Sequence, residues 1–204
     1  MSGEGARDDA AADWPVDLDG VTESIVATLE PNDRWNLAAL GLFSGEPITA
    51  RTWGNTRTRR NFHRRGEGYV QFTRDPVDFV EAACSIHERD EPVLPSADAW
   101  IRVEVEQVDG GESGGTRWEE WELVPVESGV ENRTVPTINR GFGAVIEATV
   151  AASRLDVPSY DTDELLDRLA YFEEVVEQCG DGREREAFER LAEHAGLDRR
   201  NESF

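Results

Sequence analysis

The spacing of apolar residues turns near Glu127 from mainly period two to period 3.6, and that change limits the possible folds more than any other feature. Before it, apolar side chains recur every second residue in short runs; beyond it, they recur at intervals of three and four. Trp100–Val108 and Thr116–Val126 alternate throughout and are separated by DGGESGG, the pattern of a long β-hairpin with a flexible, solvated tip. Four shorter strands precede it. In the first, Val21, Ile25, Ala27 and Leu29 share one parity before a turn at Pro31-Asn32-Asp33. The second, Arg34–Phe43, is apolar on both parities, as in a strand buried on two faces. Ile48–Trp53 and Gly68–Arg74 complete the set, and Asp90–Pro95 is an acidic loop.

Helix signals fall between and after the strands. A short helix is expected over Thr56–His63. A second starts at Asp75-Pro76-Val77-Asp78, with Asp75 as N-cap and Pro76 at N1, its inward face formed by Val77, Val80, Ala83 and Cys84. Past Glu127, Asn139-Arg140-Gly141 opens a helix to about Leu155. Asp161–Gln178 follows with Leu165, Leu169, Phe172, Val176 and Cys179 on one face, and Arg183–Ala195 is the last. The expected class is α+β. Six strands closed into a barrel would remove exposed edges, and three C-terminal helices would follow. The expected division is an acidic disordered tail over 1–18, a barrel domain over 19–128 and a helical domain over 135–200.

Charge narrows the environment. The 204 residues carry 43 acids and 21 basic residues, every one of them Arg, for a net charge of −22. Acid excess, missing Lys and a hydrophobic content of only 38% fit a haloarchaeal-type protein in concentrated salt, or else an ordinary acidic protein from a GC-rich source. No run approaches the roughly 18 apolar residues that would span a bilayer, and the N-terminus lacks a basic and apolar leader pattern. A cytoplasmic protein is expected, with Cys84 and Cys179 as buried free thiols. His63, His87 and His194 show no metal-ligand spacing with either cysteine, so no metal site is expected.

Against this background Arg51–Arg65 holds six arginines and no acid, while the rest of the chain sums to −28. Guanidiniums, the hydroxyls of Thr56 and Thr58, the Asn61 amide and a helix start after Gly54-Asn55 are the ingredients of a phosphate pocket. Two alternatives stand beside it: pairing with the chain's own carboxylates, and nucleic acid. The last is disfavoured by the net charge and by a Debye length of about 3 Å in molar salt. The preceding strand has a small-residue middle, Asn36-Leu37-Ala38-Ala39-Leu40-Gly41, against which a flat ring could lie and hydrogen-bond backbone. No Ser-His-Asp or Cys-His group and no G-x-G-x-x-G after a strand is present, so no catalytic residue is assigned.

Several pieces in order resemble an archaeal family called domain of unknown function 447. They are NLAALG at Asn36–Gly41, RTW at Arg51–Trp53, TRTRRN at Thr56–Asn61, FTRDPVDFV at Phe72–Val80 and NRGFGAVIEATVAASRL at Asn139–Leu155. The resemblance implies an FMN-binding split β-barrel and a homodimer with FMN at its interface. It implies a phosphate against Arg51, Thr52, Thr56, Arg57, Thr58 and Asn61, and a ring over Asn36, Leu37, Ala38 and Ala39, although Ala39 stands where relatives often carry Pro. Flavin-dependent reductase activity with NAD(P)H or a small-molecule acceptor follows as an expectation; a non-catalytic binding module for a phosphorylated metabolite is the alternative. Which of Arg57, Arg59 and Arg60 faces the phosphate stays open, because each helical step turns about 100°.

Overall fold

The turn at Pro31–Asp33, with Asp33 in the left-handed region at φ 60, reverses the chain so that β1 (Val21–Leu29) pairs along its whole length with β2 (Trp35–Phe43). The computed structural model describes residues 12–197. β3 (Thr49–Trp53), β4 (Glu67–Thr73), β6 (Ala97–Ser113) and β7 (Thr116–Val130) extend the sheet, and the order β1-β4-β6-β7-β3-β2 closes back on β1. The result is a closed, antiparallel six-stranded barrel, the split-barrel fold of an α+β protein. A seventh strand, β5 (His87–Arg89), was not legible in the sequence: three half-buried residues pair with Trp35–Leu37 of β2.

Val26, Leu40, Leu42, Val70, Ile101 and Trp121 fill the barrel, joined by Phe62 from α1 (Arg57–Arg65). The single buried parity expected of β1 is corrected. Ile25 and Ala27 do lie inside the protein, but on the outer wall of the barrel, under Phe79 and Ala82 of α2 (Pro76–Cys84), while Val26 of the other parity points into the barrel. α2 is thus covered on two sides. Its Val77 and Val80 pack into a second core with α3 (Arg140–Ala152), α4 (Thr162–Cys179) and α5 (Gly182–Ala195). Ion pairs reinforce that seam, Arg190 to Glu81 at 2.8 Å and Arg183 to Asp75 at 2.5 Å. Asp75, Asn139 and Asp161 cap their helices as expected. Where α3 starts, a Cβ on Gly141 would stand 2.5 Å from the Gly180 Cα, so only glycine permits this approach.

Three further expectations change. The hairpin tip is ordered pairing: β6 runs through DGGES, Ser113 pairs with Thr116, and Gly114 and Gly115 turn the chain at φ 56 and 76. Both values require the left-handed region, as a two-residue type I′ turn does. Cys84 and Cys179 are free but half-buried rather than buried. Most of the expected 1–18 tail lies outside the described residues, but Trp14 and Leu18 pack against the barrel core. Residues 131–139 are exposed and without regular structure between the barrel and α3.

Candidate functional site

β2 is incompletely paired, and the site grows from that defect. Its Trp35–Leu37 bond β5 and its Leu42–Phe43 bond β3, so Ala38, Ala39, Leu40 and Gly41 have β1 as their only strand neighbour. β3 pairs with β2 only at Thr49 and Ala50; Arg51–Trp53 then diverge and follow β7. The two strands open like a V, and α1 starts directly after β3. A cavity of about 910 Å³ occupies the opening, a size typical of small-molecule sites. The backbone groups of Ala38–Gly41 that point away from β1 are therefore available to a ligand edge, while the Leu40 carbonyl accepts from Ser24 Oγ at 2.7 Å.

Of the ten residues singled out in the sequence, nine line this cavity. Asn36, Leu37, Ala38 and Ala39 form one wall, and Arg51, Thr52, Thr56, Arg57 and Thr58 the other. Asn61 does not: it is buried, donating from Nδ2 to Thr28 Oγ1 at 2.9 Å and accepting from Arg64 at 2.8 Å, which braces α1 against β1. Thr56 is the N-cap, its Oγ1 accepting from the Arg59 amide at 3.2 Å. The Arg57 and Thr58 amides have no intrahelical acceptor and sit at the positive end of the helix dipole. Asn36 and Thr58 are each 4% exposed and line the cavity, and neither side chain hydrogen-bonds another described residue. Neither is among the fully enclosed orphan atoms of the described residues, which are Glu30 Oε1, Arg59 Nε and His87 Nε2, so both polar groups stay open to whatever fills the cavity.

The arginines divide according to what the register puts opposite them. Arg51 faces Glu120 across the β3–β7 ladder and bonds it through Nε and Nη2 at 3.0 and 2.8 Å, its guanidinium carbon 4.7 Å from the Trp118 ring centroid. Arg57 meets Glu88 at 2.6 Å and Glu30 at 3.5 Å. Arg59 turns away from the cavity to Glu119 at 2.7 Å. Arg64 donates to the Leu29 carbonyl. Of the α1 arginines without a carboxylate in ion-pairing range among the described residues, Arg60 is the one that lines the cavity, folding back over the helix start to the Asn55 carbonyl at 2.9 Å. The pairing alternative thus holds for three of the six arginines, and the +6 of the bare sequence shrinks accordingly.

Glu119 anchors the back of this wall. It is fully buried on β7 and receives Arg59, His63 at 2.7 Å and Arg117 at 2.9 Å. The Arg59 hydrogen bond, helped by His63, holds its carboxyl at about 2 against the upward push of burial. Neighbouring Trp121 donates from Nε1 to Thr52 Oγ1 at 2.9 Å, so the Thr52 side chain is engaged with the barrel core. Trp121 lies inside the barrel, and Trp118 lies outside it against Arg51. Glu23, the one acid among the cavity-lining residues, has its pKa raised by burial and by Glu147.

Sequence reasoning missed the far side of the cavity. Thr149, Val150, Ser153, Arg154, Val157, Ser159 and Tyr160 reach it from α3 and the segment after it, and Ser113, Gly114 and Thr116 reach it from the hairpin tip. A Cβ on Gly114 would come within 3.6 Å of Ser159 Oγ, so the hairpin touches the C-terminal unit beside the cavity. Only the length of the hairpin hinted at this reach. Among the described residues no cluster of His, Cys, Asp and Glu could hold a metal ion, and no helix is long and apolar enough to cross a membrane.

Two stretches of the chain match the family described as protein of unknown function (DUF447), its N-terminal domain over residues 22–132 and its C-terminal part over 139–193. The chain belongs to the DUF447 family. A similar solved structure is the FMN-bound DUF447 protein of Methanosarcina mazei, 26% identical over 87% of this chain and 96% of that one, with a TM-score of 0.74. Weaker similarities include the styrene monooxygenase flavin reductase of Pseudomonas putida S12, 13% identical over 57% of this chain and 83% of that one, TM-score 0.40. Component B of the Bacillus cereus nitrilotriacetate monooxygenase is 13% identical over 59% and 74%, TM-score 0.42. No curated protein matches the chain.

Proposed function

We propose that this DUF447 protein is an FMN-binding split-barrel flavoprotein whose cavity serves a redox reaction between the flavin and a small molecule, with NAD(P)H as a candidate donor. The observation that carries the reading is the four-residue stretch of β2 paired on one edge only, Ala38–Gly41, lining the same cavity as the amide-rich start of α1. A planar heterocycle fits the first feature, because small side chains let it approach the backbone. A phosphate fits the second, because the free amides, Thr56, Thr58 and Arg60 all donate there. Asn36 and Thr58 are the buried polar groups that would then gain partners. The bound FMN of the Methanosarcina mazei relative supports the same reading.

FMN supplies hydride and single-electron transfer when bound; the protein orients it and shields it. Leu37, Leu40 and Phe79 bring apolar surface to the cavity, Asn36 supplies an amide, and Arg51 is held rigidly by Glu120 and Trp118. Residues 22–132 hold the cofactor in this reading and the helical unit walls its far side. A homodimer accounts for two apolar residues on the cavity rim that are otherwise wet, Trp53 at 48% and Ile86 at 71% exposed. The test is flavin uptake by the purified protein, followed by anaerobic addition of NAD(P)H. Absence of FMN binding refutes the reading. FMN that binds and is not reduced restricts the protein to a binding role.

A further inference from the structure

Four arginines line the cavity against a single carboxylate, Glu23. Arg51 and Arg57 are neutralised from behind by Glu120 and Glu88, and Arg60 belongs to the start of α1. Arg154 is the fourth. It follows α3 on the helical side, its guanidinium lies 5.1 Å from the Tyr160 ring centroid, and no carboxylate of the described residues is in ion-pairing range. Arg60 and Arg154 are thus the two cavity-lining arginines that no described carboxylate neutralises. The Arg154 guanidinium carbon sits over the Tyr160 ring in a cation–π contact, and its N–H donors bond no other described residue. Those donors suit a two-oxygen acceptor, carboxylate or phosphate. Ser159 stands at the same mouth, and the touching hairpin tip at Gly114 limits what can pass there.

We propose that Arg154, stacked on Tyr160, is the recognition residue for a second, anionic ligand: a small molecule bearing a carboxylate or phosphate that enters from the helical side and lies over the flavin-binding wall. This rests on the FMN reading, since one phosphate at α1 accounts for Arg60 and leaves Arg154 to a different molecule. The substrate class follows. It is an acid, held at the helical unit, which gives the C-terminal half of the chain a role in specificity.

The test titrates FMN-loaded protein with benzoate, phenyl phosphate and the neutral isostere benzamide, following the visible flavin bands, in the native chain and in Arg154→Gln. At least one anion should perturb the flavin, and Arg154→Gln should weaken it about tenfold or more while leaving FMN affinity and the benzamide response unchanged. A tighter response to benzoate marks a carboxylate ligand, and to phenyl phosphate a phosphate ligand. Equal anion affinity in native chain and variant overturns the proposal. So does a variant that loses FMN itself, which would assign Arg154 to the cofactor. If the native protein takes up no FMN, the FMN reading fails by that measurement. Calorimetry with both anions on the flavin-free chain then decides the Arg154 site: heat in the native protein and none in Arg154→Gln upholds an anion site, and no heat in either removes it.

Discussion

Replacing Arg60 with alanine isolates the phosphate end of the proposed cofactor site, because the structure makes Arg60 separable from its neighbours. Its guanidinium hangs over the start of α1 on the Asn55 carbonyl and pairs with no acid, so its removal strands no buried carboxylate. A charge-assisted hydrogen bond is worth about 1.5–3 kcal/mol, so Arg60→Ala should weaken FMN binding about 10- to 150-fold. Riboflavin, which has no phosphate, provides the internal control: its affinity should stay within about threefold, since less than about 0.5 kcal/mol separates the two proteins without that bond. Arg57 is the contrasting case. With Glu88 at 2.6 Å and Glu30 at 3.5 Å, its charge is already compensated. The paired change Arg57→Gln with Glu88→Gln, which removes opposite charges together, should therefore shift FMN affinity by about threefold or less. The assay is quenching of flavin fluorescence on titration with protein. Equal losses for FMN and riboflavin in Arg60→Ala, or no loss for either, would refute the placement of the phosphate at α1.

Other consequences follow from the same geometry. Glu119, held near 2 by Arg59 and His63, has a folded-state pKa below its ordinary value, so its contribution is complete above about 4.5 and disappears as pH falls towards 2. Denaturant midpoints should drop across that window, and Glu119→Gln should flatten the drop while costing about 3–5 kcal/mol at neutral pH, because Arg59 is left without its partner; an unchanged acid limb would contradict this. Gly141→Ala should destabilise the helical unit by about 1–3 kcal/mol, since its Cβ meets the Gly180 backbone at 2.5 Å; thermal denaturation with no shift would show that the helices part freely. Burial pushes the Cys84 thiol up to about 11, so a thiolate-selective reagent at pH 8 should leave it unlabelled in the folded protein and label it after denaturation.

Much of this was legible in the sequence, and the reason is range. N-caps at Asp75, Asn139 and Asp161 act over two or three residues, so local identity decides them. Strand and helix positions followed from periodicity, which also needs no partner. Even the wall residues Asn36–Ala39 and the start of α1 could be named, because small side chains and hydroxyls advertise what they allow. The hairpin tip misled: its glycines and acids read as a flexible loop, whereas the length of β6 and β7 and the Gly114-Gly115 turn keep it paired.

What the sequence could not decide was the fate of each charge. Arg51 is bound to Glu120 because the β3–β7 register sets them opposite, 69 residues apart, and Arg57 meets Glu88 across 31. Asn61, next to the pocket in sequence, is turned by one helical step into a brace for β1. The break in pairing along β2 exists only because β3 leaves and β5 stops there, and Arg154 joins the cavity only because α3 docks on α2. Local interactions were written residue by residue. Which arginines remain free for a ligand is a property of the closed barrel, since only closure brings the acids that neutralise the others.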